Sequence, residues 1–97
     1  MTPVEFHSEA LRELEEAHAW YKELDELVAT AFLAEINRSV AKISERPESW
    51  PKTRDNERRF LLNQFPYSVI YRVLNNVVFV TAFAHHRRRP HYWRERQ

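Results

Sequence analysis

The chain has 97 residues, 43% of them apolar, with three Trp, four Tyr and six Phe, a composition typical of one folded domain with a modest core. Cysteine and glycine are both absent, which excludes disulfides, thiolate zinc sites and the glycine-rich loops that hold phosphates. There is no 18-residue apolar run and no signal-peptide pattern, so we expect a cytoplasmic protein that does not enter a membrane.

Charge is distributed unevenly along the sequence. Residues 1–49 carry eleven acidic and five basic side chains, and residues 50–97 carry three acidic and ten basic ones. The two halves therefore have net charges of −6 and +7, which together give the overall +1. Two interpretations are compatible with this pattern. The basic half can face an external anion such as RNA, DNA or an acidic protein, or it can face the acidic half inside the fold.

The N-terminal residues predict a short strand followed by a helix. Apolar and polar residues alternate in Thr2–Phe6, which is typical of a strand, although the sequence does not identify its neighbour. Apolar residues at 3–4 spacing then predict a helix from Ser8 to Leu24, capped by His7 or Ser8. Charged residues off the apolar stripe, including Glu13, are expected to be solvated. The stripe consists of Leu11, Leu14, His18, Tyr21 and Leu24, with Ala10 and Ala17 beside it.

A second helix is predicted from Glu26 to Glu45, with Asp25 as its cap. Because few residues separate the two helices, they should form an antiparallel hairpin. Pro47 ends the second helix, since the residue before a proline disfavours helical geometry. The segment from there to Asn56 is expected to be a loop.

Three further strands are predicted in the C-terminal half, at Arg58–Gln64, Ser68–Leu74 and Val77–Ala84. Asn75 and Asn76 suit a two-residue type I′ turn, because asparagine tolerates the positive φ that this turn needs. In the last strand, both the odd and the even positions are apolar. Both of its faces should therefore be covered, as in a central strand. We therefore predict an α+β fold of order β-α-α-β-β-β, an antiparallel sheet with the helix hairpin on one face.

The predicted core includes aromatic and aliphatic side chains from the second helix and from each of these three strands. Its proposed members are Ile36, Phe60, Leu62, Tyr71, Phe79 and Phe83. Trp50 is expected to dock on the domain.

The last strand leads into a run of cations and imidazoles at one edge of the sheet. A basic tail that only aids solubility is the simplest interpretation. Tyr92 and Trp93 argue against it, because exposing two large aromatic side chains is costly, and Trp93 is expected to fasten the tail to the domain. Three histidines occur here, but adjacent His85 and His86 point opposite ways on a strand and no carboxylate is near in sequence. We predict neither a metal site nor a cofactor.

Several segments, in order, resemble the RelE/ParE superfamily of bacterial toxins, the toxin components of type II toxin–antitoxin (plasmid stabilisation) modules. The C-terminal segment is similar to the ParE-like branch. The segments that carry the resemblance are Phe6–Ala10, Ala19–Tyr21, Phe32–Pro47, Arg59–Leu62, Phe65–Val73 and Ala84–Trp93.

The resemblance implies a single toxin domain over residues 1–97, neutralised by a cognate antitoxin in a hetero-oligomer that contacts operator DNA through the antitoxin. RelE-like toxins are metal-independent endonucleases that cleave mRNA in the ribosome, whereas ParE-like toxins inhibit DNA gyrase without known nuclease chemistry. The sequence leaves both targets open, together with a degenerate, non-toxic module that only binds protein.

Metal-free RNA cleavage needs a base, cations for the developing phosphorane and an acid. The catalytic candidates are Arg59, Arg72, His86, Arg87 and Tyr92. The binding candidates are Arg58, His85, Arg88, Arg89 and Arg94. The resemblance places Arg59, Arg72 and Tyr92 where RelE-like nucleases have functional residues. Those nucleases are richer in lysine within the sheet, however, and here Lys52 lies in the preceding segment.

Overall fold

The computed structural model describes residues 1–96. The elements in chain order are β1 (Val4–Phe6), α1 (Ser8–Leu24), α2 (Glu26–Glu45), β2 (Lys52–Arg54), β3 (Glu57–Leu61), β4 (Tyr67–Leu74) and β5 (Val77–His85). The five strands form one sheet in the order β1-β5-β4-β3-β2. The two helices share a core with one face of this sheet, which confirms the predicted α+β class. None of the helices in residues 1–96 is long and apolar enough to cross a membrane.

Both helices have the predicted ends because polar side chains satisfy their first backbone groups. His7 Nδ1 accepts the Glu9 N–H at 3.0 Å, and Asp25 Oδ1 accepts the Leu27 N–H at 2.7 Å. The backbone N–H of Asp25 also donates to Tyr21 O at 2.9 Å. One residue therefore ends α1 and begins α2, which makes the hairpin tight.

The buried stripe of α1 lies to one side of the predicted stripe. Ala10 and Ala17 are buried along with Tyr21, whereas Leu11 is 43% exposed and Leu24 is 64% exposed. The small alanines let α1 approach β5 closely, and the larger leucines lie beside the contact. The predicted stripe was therefore wrong at its two ends.

Strands β3, β4 and β5 form the predicted antiparallel meander. Asn75 and Asn76 have φ values of 51° and 61°, as a type I′ turn requires. In contrast, β1 pairs in parallel with β5, with Glu5 opposite Phe79. The sheet is therefore mixed, and the prediction of a wholly antiparallel sheet was wrong. The partner of β1 lies more than 70 residues away, so no local pattern could indicate its direction.

Strand β2 occupies a segment that was predicted to be a loop. Lys52–Arg54 pairs antiparallel with β3 at the edge of the sheet, and all three residues are exposed. The Arg59 N–H donates to Pro51 O at 3.0 Å and extends this pairing. An exposed polar edge strand has no alternation of apolar and polar residues, which explains why the prediction missed it.

A bulge in β5 changes which face its side chains occupy. Ile70 pairs with Ala82 and Tyr71 pairs with Val80, so Thr81 has no opposite residue. Val80 before the bulge and Phe83 after it both contact the helices. Phe79 points away from the helices and is only half-buried, so its assignment to the core was wrong. The other five predicted core residues are buried.

The C-terminal segment covers part of the other sheet face. Trp93 is 8% exposed and packs with Ile70, Ala82 and Ala84, and Tyr92 contacts the same cluster. Trp93 Nε1 donates to Glu57 Oε1 at 2.8 Å. The expectation that Trp93 fastens the tail to the domain is confirmed.

Candidate functional site

Two clefts open on the sheet face that the helices leave uncovered, with Trp93 lining both. The first, which we call the histidine cleft, has a volume of about 150 Å³. Its polar lining includes Arg59, Ser68, His85, His86, Arg88, His91 and Tyr92. The second, which we call the arginine cleft, has a volume of about 210 Å³. Its charged lining consists of Arg54, Asp55, Glu57, Arg72, Arg94 and Arg96.

A three-residue hydrogen-bond chain crosses the histidine cleft. Arg59 Nε donates to Ser68 Oγ at 3.0 Å, and the same oxygen lies 3.0 Å from His86 Nε2. Arginine has no acceptor, so Ser68 keeps its hydroxyl proton for a neutral His86 or accepts from a protonated one. Ser68 is buried on β4 and holds the exposed His86 in place. Ser68 was not among the predicted site residues, although it shares a strand face with Ile70.

Tyr92 is held by a carboxylate rather than left free in the histidine cleft. Its hydroxyl donates to Glu13, and the Arg88 guanidinium lies 3.9 Å from the centre of its ring. Burial raises the pKa of Tyr92, and the hydrogen bond and charge of Glu13 raise it further. The phenol is therefore protonated at neutral pH, and its proton is directed at Glu13.

Glu13 was expected to be solvated and is instead a partly buried acceptor, so that prediction was wrong. It accepts from Tyr92, from the Phe83 N–H at 3.1 Å, and from Arg96 at 2.9 Å and 3.0 Å. Strand β1 ends opposite Val80. Beyond that point β5 has no neighbouring strand on this side within residues 1–96, and the Glu13 carboxylate accepts the backbone N–H of Phe83 instead. A signal was present in the sequence, because Glu13 lies about one helical turn from both Ala10 and Ala17.

His85 accepts rather than donates at Nδ1. The Arg87 N–H donates to His85 Nδ1 at 3.0 Å, and the imidazole packs edge-on against Tyr67. Burial lowers the pKa of His85, and the neighbouring charges of Arg87 and His86 lower it further. His85 is therefore neutral at pH 7. The side chains of Arg87 and Arg89 are exposed and line neither cleft.

The remaining candidates lie elsewhere. Arg72 and Arg94 line the arginine cleft, away from His86. Arg58 Nη1 donates to Glu48 O at 3.1 Å and to Trp50 O at 2.7 Å, so it holds the loop that precedes β2. The five catalytic candidates do not converge: Arg59, His86 and Tyr92 share one cleft, Arg72 lines the other, and Arg87 lines neither.

His91 has a positive φ of 63°, and its buried Nδ1 has no partner among residues 1–96. Within that same part of the chain, no three His, Cys, Asp or Glu side chains are arranged to hold a metal ion. The histidine cleft is thus lined by cations, imidazoles and hydroxyls, which are groups that can bind anions or move protons.

A helix hairpin on a five-stranded sheet, with a cationic C-terminal segment folded onto the open face, defines a RelE/ParE-like toxin fold. The family model described as "ParE toxin of type II toxin-antitoxin system, parDE" matches residues 4–90. The chain therefore belongs to the ParE toxin family, which confirms the predicted superfamily and branch.

A chain from the solved structure of the chromosomal ParDE toxin–antitoxin system of P. aeruginosa is similar in fold. The TM-score is 0.76 at 17% sequence identity, and the match covers 88% of this chain and 96% of that one. At this identity, the similarity shows a shared fold. Comparison with curated proteins gives no significant match.

Proposed function

We propose that this protein is the toxin of a type II toxin–antitoxin module and that it stops growth by binding DNA gyrase. The separation of the catalytic candidates supports this choice of target. A metal-free nuclease needs its base, acid and cations around one phosphate. Here Tyr92 donates to Glu13 and Arg72 lies in a different cleft from His86. This separation supports a role in contact with a target over shared chemistry.

The exposed turn after β5 is the surface that would meet the target. Arg87, Arg88 and Arg89 are all exposed there, and Arg88 also lines the histidine cleft. Arg88 is stacked on Tyr92, which Glu13 fixes in turn, so part of this surface is already ordered before binding. Arginine stacked on an aromatic ring is typical of protein interfaces, and ordering it beforehand reduces the entropy cost of association.

The test is a supercoiling assay with purified gyrase and relaxed plasmid. We expect the wild-type protein to inhibit supercoiling and, in a separate ribosome assay, to leave mRNA intact. The triple variant Arg87→Gln, Arg88→Gln, Arg89→Gln should inhibit less, and wild-type inhibition should weaken as salt increases. Arg12→Gln, which removes one exposed charge from α1, is the control. An unaffected gyrase would contradict the proposed target.

Ribosome-dependent mRNA cleavage is the second candidate, and the chain from Arg59 through Ser68 to His86 favours it. In that case His86 would take the proton of the ribose 2′-hydroxyl as its oxygen bonds to phosphorus, and Arg59 would stabilise the phosphorane charge. The bond from phosphorus to the 5′-oxygen would then break, and that oxygen would take a proton from solvent. His86→Ala should then reduce cleavage by about 10²–10⁴-fold. Inactivity in both assays, with the antitoxin shown to be absent, would instead indicate a non-toxic module that binds protein.

We also infer a cognate antitoxin as partner, in a hetero-oligomer that silences the toxin. Co-expression with the adjacent reading frame, followed by affinity purification of the tagged toxin, tests this. A small protein should co-purify in a fixed ratio. If no small protein co-purified, that result would contradict the proposed antitoxin. The gyrase assay would still test the toxin independently.

A further inference from the structure

Arg72 lies half-buried in the middle of the sheet without an acidic partner. Its cross-strand neighbours are Glu57 on β3 and Phe79 on β5. Both carboxylate oxygens of Glu57 are already engaged, one by Trp93 Nε1 at 2.8 Å and the other by Thr53 Oγ1. No carboxylate of residues 1–96 lies within 4.0 Å of the Arg72 guanidinium. Because Arg72 is partly removed from water and has no carboxylate partner among these residues, it is suited to bind an external anion.

Two further guanidinium groups line the same cleft. Arg54 has one acidic contact, with Asp55 at 4.0 Å, and that carboxylate side chain is 90% exposed. Arg94 forms no ion pair within the described part of the chain. Arg96 is neutralised by Glu13 and adds little. Three weakly compensated cations repel one another inside about 210 Å³, and one bound carboxylate would relieve that repulsion.

The arginine cleft continues into a second hollow, which is lined by both polar and apolar residues. That hollow has a volume of about 270 Å³, shares Arg72 and Thr81 with the arginine cleft, and is also lined by Phe6 and Phe79. Phe79 is half-buried on the open face of the sheet and gives this hollow apolar surface, whereas the Phe6 ring stacks on Phe83 beneath the helices. Together the two form what we call the Arg72 groove, with cations at one end and the aromatic ring of Phe79 at the other.

The chemistry of the Arg72 groove suits a peptide better than a nucleic acid. A nucleic acid backbone presents a repeating negative charge and needs a continuous line of cations. In this groove the cations stop at Arg72, and Glu5 lines the aromatic end, where it would repel a phosphate. An extended peptide with one carboxylate and a nearby apolar side chain matches both ends.

We propose that the Arg72 groove binds an extended segment of the antitoxin, with an Asp or Glu side chain on Arg72 and an apolar side chain against Phe79. This inference rests on the proposed function, which supplies the antitoxin. It adds the surface and the chemistry that the antitoxin would use.

The test measures the affinity of purified antitoxin for toxin variants in solution. Arg72→Gln should weaken binding on the order of 10- to 100-fold, as expected for loss of a hydrogen-bonded charge contact. Arg12→Gln, an exposed arginine on α1, is the matched control and should bind like wild type. Arg72→Glu should weaken binding further. Changing one acidic residue of the antitoxin to Lys should then restore part of the affinity for Arg72→Glu.

Thermal melting of each variant separates folding from binding. If Arg72→Gln fails to fold, the exposed Arg94→Gln variant takes its place and should weaken binding at an unchanged melting temperature. If the folded variants bound the antitoxin as tightly as wild type, the proposal that the Arg72 groove binds the antitoxin would be wrong. The assignment of the protein as a toxin would be unaffected. Lack of antitoxin binding by the wild-type protein would overturn both. Arg72-dependent binding of a short RNA or DNA duplex, with unchanged antitoxin affinity, would overturn the peptide assignment.

Discussion

Glu13 and Arg96 form a two-point ion pair that joins the first helix to the C-terminal segment. The Nη1–Oε1 distance is 2.9 Å and the Nη2–Oε2 distance is 3.0 Å. The Glu13 and Arg96 side chains are only 11% and 15% exposed, and Arg96 also donates to Thr81 O at 3.1 Å. Because Tyr92 donates to the same carboxylate, the segment that carries the cations is part of the fold.

Removing the Glu13 carboxylate should destabilise the whole domain. Glu13→Ala leaves Arg96 without its counter-charge, and it also leaves Tyr92 and the Phe83 N–H without an acceptor. We expect the free energy of unfolding to fall by about 3 kcal/mol, as for other ion pairs broken at one partner in a mostly buried setting. Urea denaturation followed by circular dichroism measures this.

Glu16→Ala is the matched control for that experiment, because Glu16 is exposed on the same helix. Its effect should stay within about 0.5 kcal/mol of wild type. Equal stabilities of the two variants would show that the ion pair and hydrogen bonds of Glu13 contribute little in solution.

Deleting residues 92–97 should reduce both stability and toxicity. The deletion removes Trp93 from its cluster with Ile70, Ala82 and Ala84 and uncovers that face of the sheet. Losing a buried tryptophan costs about 3–5 kcal/mol. The point variant Trp93→Phe keeps most of the packing but loses the bond to Glu57, so its loss should be smaller. A deletion variant that melts like wild type and remains toxic would indicate a loose tail.

Local chemistry explains the parts of the fold that could be predicted. Asp25 both ends α1, where its backbone N–H donates to Tyr21 O, and begins α2, where its carboxylate accepts the Leu27 N–H. Asn75 and Asn76 adopt positive φ values, which asparagine as a residue type tolerates. In both places, neighbouring residues carry the whole signal, so the sequence is sufficient.

Long-range pairing explains the parts that could not be predicted. The parallel partner of β1 and the bulge at Thr81 depend on how distant strands meet, and the bulge reversed the predicted burial of Phe79. The site shows the same limit. Arg59 lies on a predicted strand and His86 directly follows β5, but the link between them through Ser68 and the hydrogen bonds to Glu13 required the tertiary structure.

Substitution of the two phenylalanines of β5 tests the bulge directly. Phe83 is 1% exposed beneath the helices, whereas Phe79 is half-buried on the opposite face. Phe83→Ala should cost about 3–5 kcal/mol, and Phe79→Ala should cost clearly less. Thermal melting of the two variants side by side measures the difference. If the order were reversed, Phe79 rather than Phe83 would contact the helices, and the bulge would be misplaced.

Stability should fall in strong alkali, in part because of Tyr71. Its hydroxyl donates to Pro47 O at 2.6 Å, and burial raises its pKa from 10.0 to about 12 while the Arg58 charge opposes that change. The folded state therefore holds this proton more tightly than the unfolded state. The stabilisation is complete below pH 10 and is lost as the pH rises from 10 towards 12.

Tyr71→Phe should make that alkaline decrease smaller. It should not abolish the decrease, since the pKa values of Tyr21, Tyr67 and Tyr92 are also raised. At neutral pH the variant should lose about 0.5–1.5 kcal/mol, because Pro47 O loses its donor. Urea unfolding at a series of pH values measures both effects. An alkaline decrease as large as that of wild type would mean that Tyr71 does not contribute to it.

Ser68→Ala is the variant that most sharply separates the two candidate targets. It removes the oxygen that links Arg59 to His86 without substituting either of those residues. Stability should fall by only about 1 kcal/mol, with Ser49→Ala as the exposed control. If the protein acts on gyrase through its exposed arginines, inhibition of supercoiling should survive this change. If it cleaves mRNA, His86 loses its fixed position and cleavage should fall by at least the order of tenfold. Loss of gyrase inhibition by Ser68→Ala at unchanged stability would mean that the hydrogen-bond chain itself contacts the target.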